Sequence, residues 1–284
     1  MKNMMRCDCN KIFLKKLFTY SSRPQKEKKF KIKKKYRREY YQCNNCKHIF
    51  SKLYFDLKDI YNDQYFDNTY SNIKKLQNRF NYVKNLGYAK SDNKNRVKRV
   101  NYYFNNKKEL SVLDVGSGMG IFLYEMQKRN WKCLGLDLDN RYKIFCKDFL
   151  NIKILNQKLQ NLNIKKKFNL ITFNKVLEHL SNPISLLKIS KKFLKEDGVI
   201  YLEVPDSKVK KLGKYRDEFS LEHLHVFSIQ SVSNMAEKSG FSVNSIQRII
   251  DPSGKYTIFA FLEKNNIYKK KKFNNRKSSN GSNI

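Results

Sequence analysis

The chain has 284 residues, 40% hydrophobic and 14% aromatic, which is apolar material for one α/β domain with an appendage or for two small domains. It carries 60 lysines and arginines against 25 acidic residues, a formal charge of +35, and no apolar run approaches the roughly twenty residues that a membrane-spanning helix needs. Six cysteines do not make a dense secreted disulfide scaffold and no cleavable leader precedes them, so a soluble cytoplasmic protein is expected.

The first 52 residues hold two close cysteine pairs, Cys7-Asp-Cys9 and Cys43-Asn-Asn-Cys46. Four thiolates can surround one zinc tetrahedrally, and a Cys-x2-Cys turn aims both sulfurs at one point. Cys7, Cys9, Cys43 and Cys46 are therefore the candidate ligands of a structural zinc. Unliganded cysteine turns and a redox pair remain open alternatives, because the first pair is shorter than the usual spacing. Between the pairs, Lys26 to Arg38 interleaves cations with Phe30, Ile32 and Tyr36. Stacking on bases with lysines on phosphates fits these letters, and so does a hairpin of alternating face. Alanine occurs only at positions 89, 236 and 260 while lysine, asparagine and isoleucine abound, a pattern of coding bias that spreads the charge over the whole chain. Specific nucleic-acid recognition is not expected from it.

Residues 53–104 are expected to form a helical segment and linker. Ile73, Leu76, Phe80, Val83 and Leu86 recur at helical spacing, and a short helix over 96–104 leads to the first strand of the main domain. That domain is expected over 105–264. The apolar run 111–115 ends in Asp114 and Val115, the glycines Gly116, Gly118 and Gly120 follow, and an apolar helix begins at once. Strand, tight turn and helix in this order let a ligand lie against bare peptide groups at the helix N-terminus. A second strand, 132–137, ends in Asp137 about twenty residues past the first glycine, where a carboxylate can accept both hydroxyls of a ribose. Asp137 and its neighbours could instead cap the next helix.

The alternation continues with a helix over 139–149, strands at 152–155 and 168–173, a helix over 183–195 and a strand at 199–204, the pattern of a parallel sheet covered on both faces. A helix over 230–239 and a hairpin, 241–250 with 255–263 across Asp251-Pro252-Ser253-Gly254, close the domain. The residues from 265 onward are expected to be a basic disordered tail.

The phrases "VLDVGSGMG" at 112–120, "CLGLDLD" at 133–139, "FNLITFNKVLEHLSNP" at 168–183, "FLKEDGVIYLEVPD" at 193–206 and "EHLHVFS" at 222–228 resemble, in order, the class I S-adenosylmethionine-dependent methyltransferases. "YQCNNCKHIF" at 41–50 is similar to half of an N-terminal zinc module found in members that act on sugars or surface-polymer precursors. The resemblance implies an α/β Rossmann-like fold, mostly parallel with a C-terminal antiparallel hairpin, plus a small N-terminal cysteine module. It implies a central strand ending at Asp114 and S-adenosyl-L-methionine held by Asp114, Gly116, Ser117, Gly118, Gly120, Asp137, Leu138, Gln157, Asn174, Lys175 and His179. It also implies a lid over 53–87 whose Tyr61 and Tyr65 face the methyl group.

Glu222-His223-Leu224-His225 follows a long loop, 206–221, that the fold does not require to be rigid. A histidine near its unperturbed pKa can take a proton as the methyl moves. The resemblance, whose sugar-acting members use a histidine directly after glutamate here, makes His223 the first candidate base and His225 the second, with Glu222 able to orient the ring; a metal pair or a loop clamp is the competing use. The expected reaction is methyl transfer to a small acceptor such as a sugar or nucleotide sugar. An RNA methyltransferase and a non-catalytic cofactor-binding protein that holds a partner are the alternatives.

Overall fold

The computed structural model describes Cys9, residues 14–25, Glu27, residues 35–55, 73–105, Lys107 and residues 109–265. Cys7, Tyr61, Tyr65, most of the 26–38 run and the tail from 266 lie outside the described residues.

The main sheet is built on β4 (Ser111–Val115), buried at all five positions as a strand covered on both faces must be. With β5 (Lys132–Leu136), β6 (Ile154–Leu155), β7 (Phe168–Asn174), β8 (Leu194–Pro205), β10 (Phe241–Ile250) and β11 (Tyr256–Lys264) it forms seven strands in the order β10-β11-β8-β7-β4-β5-β6. The β4, β5, β6, β7 and β8 pairings are parallel. The hairpin β10-β11 joins antiparallel to β8. The α/β fold with its C-terminal hairpin is thus as the sequence implied. Strand order runs outward from β4 to β6 and then returns to β7 on the other side of β4, so the order reverses between β4 and β7. The geometric middle of the sheet is β7, one place from β4, the strand that carries Asp114.

Alternate residues of each strand feed opposite layers. Leu113, Val115, Ile171 and Phe173 pack against Leu186 and Leu187 of α5 (Pro183–Ser190) and Val232 and Met235 of α6 (Ile229–Lys238). Val112 and Leu170 belong to the other layer, with α1 (Ile73–Asn85), α2 (Asp92–Tyr103), α3 (Ile121–Gln127) and α4 (Asn140–Leu150). The stripe expected over 73–86 is the packing face of α1, where Leu76 and Phe80 are buried. The helix expected to reach residue 195 ends at Ser190, with a single 3-10 turn before β8. That strand starts five residues earlier than the apolar pattern indicated, because Phe168 pairs with Leu194 and Leu170 with Val199. Residues 195–198 bulge between these two pairs.

The N-terminal module is a second sheet, β1 (Leu14–Tyr20), β2 (Arg38–Cys43) and β3 (Ile49–Leu53), antiparallel throughout. Its fourth strand, β9 (His225–Val226), comes from the main domain and pairs with Ile49 and Phe50. The loop 206–221 is correspondingly ordered. Two 3-10 turns shape it, Val209 and Phe219 are buried, and the Arg38 guanidinium donates to the Phe219 carbonyl at 2.8 Å. It is held against the N-terminal sheet, a rigidity that the main domain's fold alone did not require.

Candidate functional site

At the carboxyl ends of β4 and β7 a cavity of about 380 Å³ opens between the strand ends, α1 and the start of α2. Asp114, Gly116, Ser117 and Asn174 line it together with Arg79 and Lys255, which sequence reasoning did not single out. A larger cavity, about 560 Å³, lies away from this turn, between β1 and residues 214–220.

The glycine turn has backbone that only glycine takes without strain. Gly116 has φ +74°, and a Cβ there would sit 2.6 Å from Cγ2 of Val176; Gly118 has φ +52° with open space around it. The left-handed conformation costs about 1–2 kcal/mol for other residues. Gly120 is the N-cap of α3. The Gly118 N–H donates to Oδ2 of Asp137 at 2.8 Å, and Oδ1 of Asp137 accepts from the Asp139 N–H at 2.9 Å. Asp137 therefore ties the glycine turn to the end of β5, and Asp139 is the residue that caps α4. Leu138 is half exposed beside it. The Asn156 side chain donates to the Asp137 carbonyl at 3.1 Å, fastening the end of β6 to that of β5, and the backbone of Gln157 turns back onto Leu155.

Asp114 is buried and accepts from Thr172 at 2.6 Å and from the Asn174 amide at 2.9 Å. Burial pushes its carboxyl up to about 7, against the opposing pull of Thr172, Arg96 and Asn174. Oδ1 of Asn174 is buried without a partner. A ligand amine would satisfy both groups, which makes this edge fit the aminoacyl end of S-adenosylmethionine. Lys175, at φ +59°, turns its ammonium to the Thr257 hydroxyl, 3.7 Å from Asp251.

His179, in the 3-10 turn that follows β7, meets His223 with ring centroids 4.8 Å apart. Nδ1 of His179 contacts the Glu222 carbonyl at 3.1 Å, and Nδ1 of His223 contacts the Glu218 carbonyl at 3.0 Å. A carbonyl only accepts, so Nδ1 carries a proton in both rings, and Nε2 is the nitrogen that holds the lone pair in the neutral imidazole. Burial and then the neighbouring His179 push His223 down to about 3. His225 is placed differently. Its Nε2 donates to the Leu180 carbonyl at 2.9 Å and its Nδ1 meets Nε2 of His48 at 3.0 Å, so it clamps the two sheets together. His48 is a further residue to which the sequence reading assigned no role; its place two residues after Cys46 was the available signal.

Cys9, Cys43 and Cys46 have their sulfurs within 4.8 Å of one another, with Cys9 and Cys43 at 3.5 Å. Tetrahedral zinc with bonds of about 2.3 Å places its sulfurs about 3.7 Å apart. Three of the four candidate ligands therefore fit a metal; the fourth, Cys7, lies outside the described residues. Among the described residues, no helix is long and apolar enough to cross a membrane.

Comparison with known proteins agrees with this geometry. The ubiquinone biosynthesis O-methyltransferase of Glaesserella parasuis is 29% identical over 102 residues, 32% of this chain and 43% of that protein. A protein of Methanococcus aeolicus named "Probable ribosomal RNA small subunit methyltransferase A" is 32% identical over 106 residues, 36% of this chain and 38% of that protein. The chain thus spans less than half the length of these curated relatives. In fold it is similar to the 1,6-didemethyltoxoflavin-N1-methyltransferase of Burkholderia thailandensis, solved with S-adenosylhomocysteine, at TM-score 0.54 and 12% identity over 79% of this chain and 99% of that one. The family model described as "Methyltransferase domain" matches residues 82–246 and so takes in the glycine turn, Asp137, the Glu178-His179 turn and His223: the chain belongs to the methyltransferase domain family.

Proposed function

We propose that the chain transfers a methyl group from S-adenosylmethionine to a small-molecule acceptor. The observation that carries this reading is the Gly118 to Asp137 clasp beside a cavity edged by Asp114 and by the orphaned Asn174 amide oxygen. Asp137 has lone pairs left for ribose hydroxyls, and Asp114 with Asn174 would hold the amine of the methionine end. When bound, the cofactor supplies a methyl already activated on a sulfonium. The protein's share is then to align the acceptor, exclude water and receive a proton. In the metal-free site Nε2 of His223 is the lone pair available to receive it, the Glu218 carbonyl fixes its ring, and burial keeps the ring unprotonated at the cost of making it a weaker base than a free imidazole.

A sugar or nucleotide-sugar acceptor is the finer reading, supported by the cysteine module packed on the loop that carries His223. Calorimetry with S-adenosylmethionine and with NAD tests the cofactor, and transfer of isotopically labelled methyl to a panel beginning with nucleotide sugars tests the acceptor. Tight NAD binding without S-adenosylmethionine binding would overturn the reading. The +35 charge and the Methanococcus aeolicus relative favour a polynucleotide acceptor as the second reading. Methylation of a particular RNA at physiological salt would put it first.

A further inference from the structure

Glu178 is fully buried, and neither of its carboxylate oxygens has a hydrogen-bond partner. A buried carboxylate left in this state is expensive unless something of opposite charge satisfies it. The Lys175 ammonium acts on it only through space, whereas His179, next in the chain, and His223, brought in from the turn before β9, each bring one possible ligating atom that lies with a Glu178 oxygen within 4.8 Å of the others. Both rings are fixed through Nδ1 to backbone carbonyls, the arrangement by which metal-ligating histidines are usually oriented. The two segments are also tied by the backbone, since the Leu224 N–H donates to the Glu178 carbonyl at 2.8 Å. The three groups are thus assembled before any ligand arrives.

We propose that Glu178, His179 and His223 form a binding site for a divalent transition-metal cation, separate from the cysteine cluster. Two imidazoles and a carboxylate suit Zn²⁺, Mn²⁺, Fe²⁺ or Co²⁺, and three protein ligands leave coordination positions open to water or to an acceptor oxygen. The site lies just past β7, on the strand-end edge that also carries Asn174. Its consequence for chemistry rests on the methyl-transfer reading: a hydroxyl bound to the cation would lose its proton to water more readily, and His223 would then hold the cation in place of the proton. Its existence does not rest on that reading.

The test uses the full chain, stripped with a chelator and titrated with Co²⁺. The optical spectrum separates a thiolate-bound ion, which shows a sulfur-to-cobalt charge-transfer band, from one bound through nitrogen and oxygen. The expected result is one equivalent of each in the parent protein, with the nitrogen and oxygen equivalent lost in Glu178→Gln and in His223→Gln while the thiolate band stays. Circular dichroism identifies a variant that has failed to fold, and the other variant then decides. A parent protein with no nitrogen- and oxygen-bound equivalent, or folded variants that keep it, would overturn the proposal. A parent that binds this cation yet neither binds S-adenosylmethionine nor methylates any acceptor would overturn the methyl-transfer reading and leave the metal site standing.

Discussion

The backbone N–H of Gly118 donates to Oδ2 of Asp137 at 2.8 Å, joining two residues that belong to successive strand ends. One carboxylate thereby shapes the turn and, on the proposed function, has lone pairs left for a ribose. Replacing Asp137 by alanine should weaken S-adenosylmethionine binding by at least tenfold in calorimetry. It should also lower stability by about 1–3 kcal/mol in urea unfolding, since two backbone donors lose a charged acceptor.

Gly116→Ala introduces a Cβ 2.6 Å from Cγ2 of Val176 and a left-handed backbone at once. We expect a loss of about 1–2 kcal/mol from the backbone and about 1–3 kcal/mol from overpacking. Adding Val176→Ala should recover part of the second term only. Strict additivity in a double-mutant cycle would show that the contact is not what limits the position.

Asp114 gives the protein a pH dependence of defined sign. Its folded pKa of about 7 lies above the ordinary carboxylate value, so between roughly pH 4 and 7 the folded chain holds a proton that the unfolded chain has released. Its contribution should therefore lower stability as pH rises through that window, by an amount on the order of a few kcal/mol. Urea midpoints from pH 4.5 to 8 should fall less steeply in Asp114→Asn. S-adenosylmethionine binding below pH 7 should release a proton, visible in calorimetry as a dependence on the buffer's ionisation enthalpy.

The cysteine cluster should hold one zinc per chain through Cys9, Cys43, Cys46 and, outside the described residues, Cys7. Elemental content should drop by that equivalent in Cys43→Ser and Cys46→Ser. The same changes should speed hydrogen exchange in the 14–53 sheet more than in β4.

His223 and His225 should separate in kinetics and in stability. His223→Ala is expected to reduce methyl turnover by a factor on the order of 10²–10⁴ with S-adenosylmethionine affinity nearly kept. His225→Ala removes a ring held by His48 and by the Leu180 carbonyl, and should lower the stability read from urea unfolding by about 1–3 kcal/mol with a smaller effect on turnover. Full turnover in the His223 variant across pH would remove it from the proton's path.

The sequence by itself determined the elements whose signals are local. The apolar run of β4, the three glycines, Asp137 at the end of β5, the α6 helix and the final hairpin all lie within a residue or two of where their spacing put them. Such features depend on neighbours in the chain, through strand periodicity and through φ values that glycine alone adopts freely. Tertiary structure decided what depends on residues distant in sequence. It gave the N-terminal sheet its fourth strand from residues 225–226, made His225 a clamp through His48, and packed the 206–221 loop onto that sheet. It also buried the Glu178 carboxylate beside His223, 45 positions further on, a juxtaposition that no local pattern of apolar or turn residues encodes, because it exists only once β7 and the turn before β9 have been folded against each other.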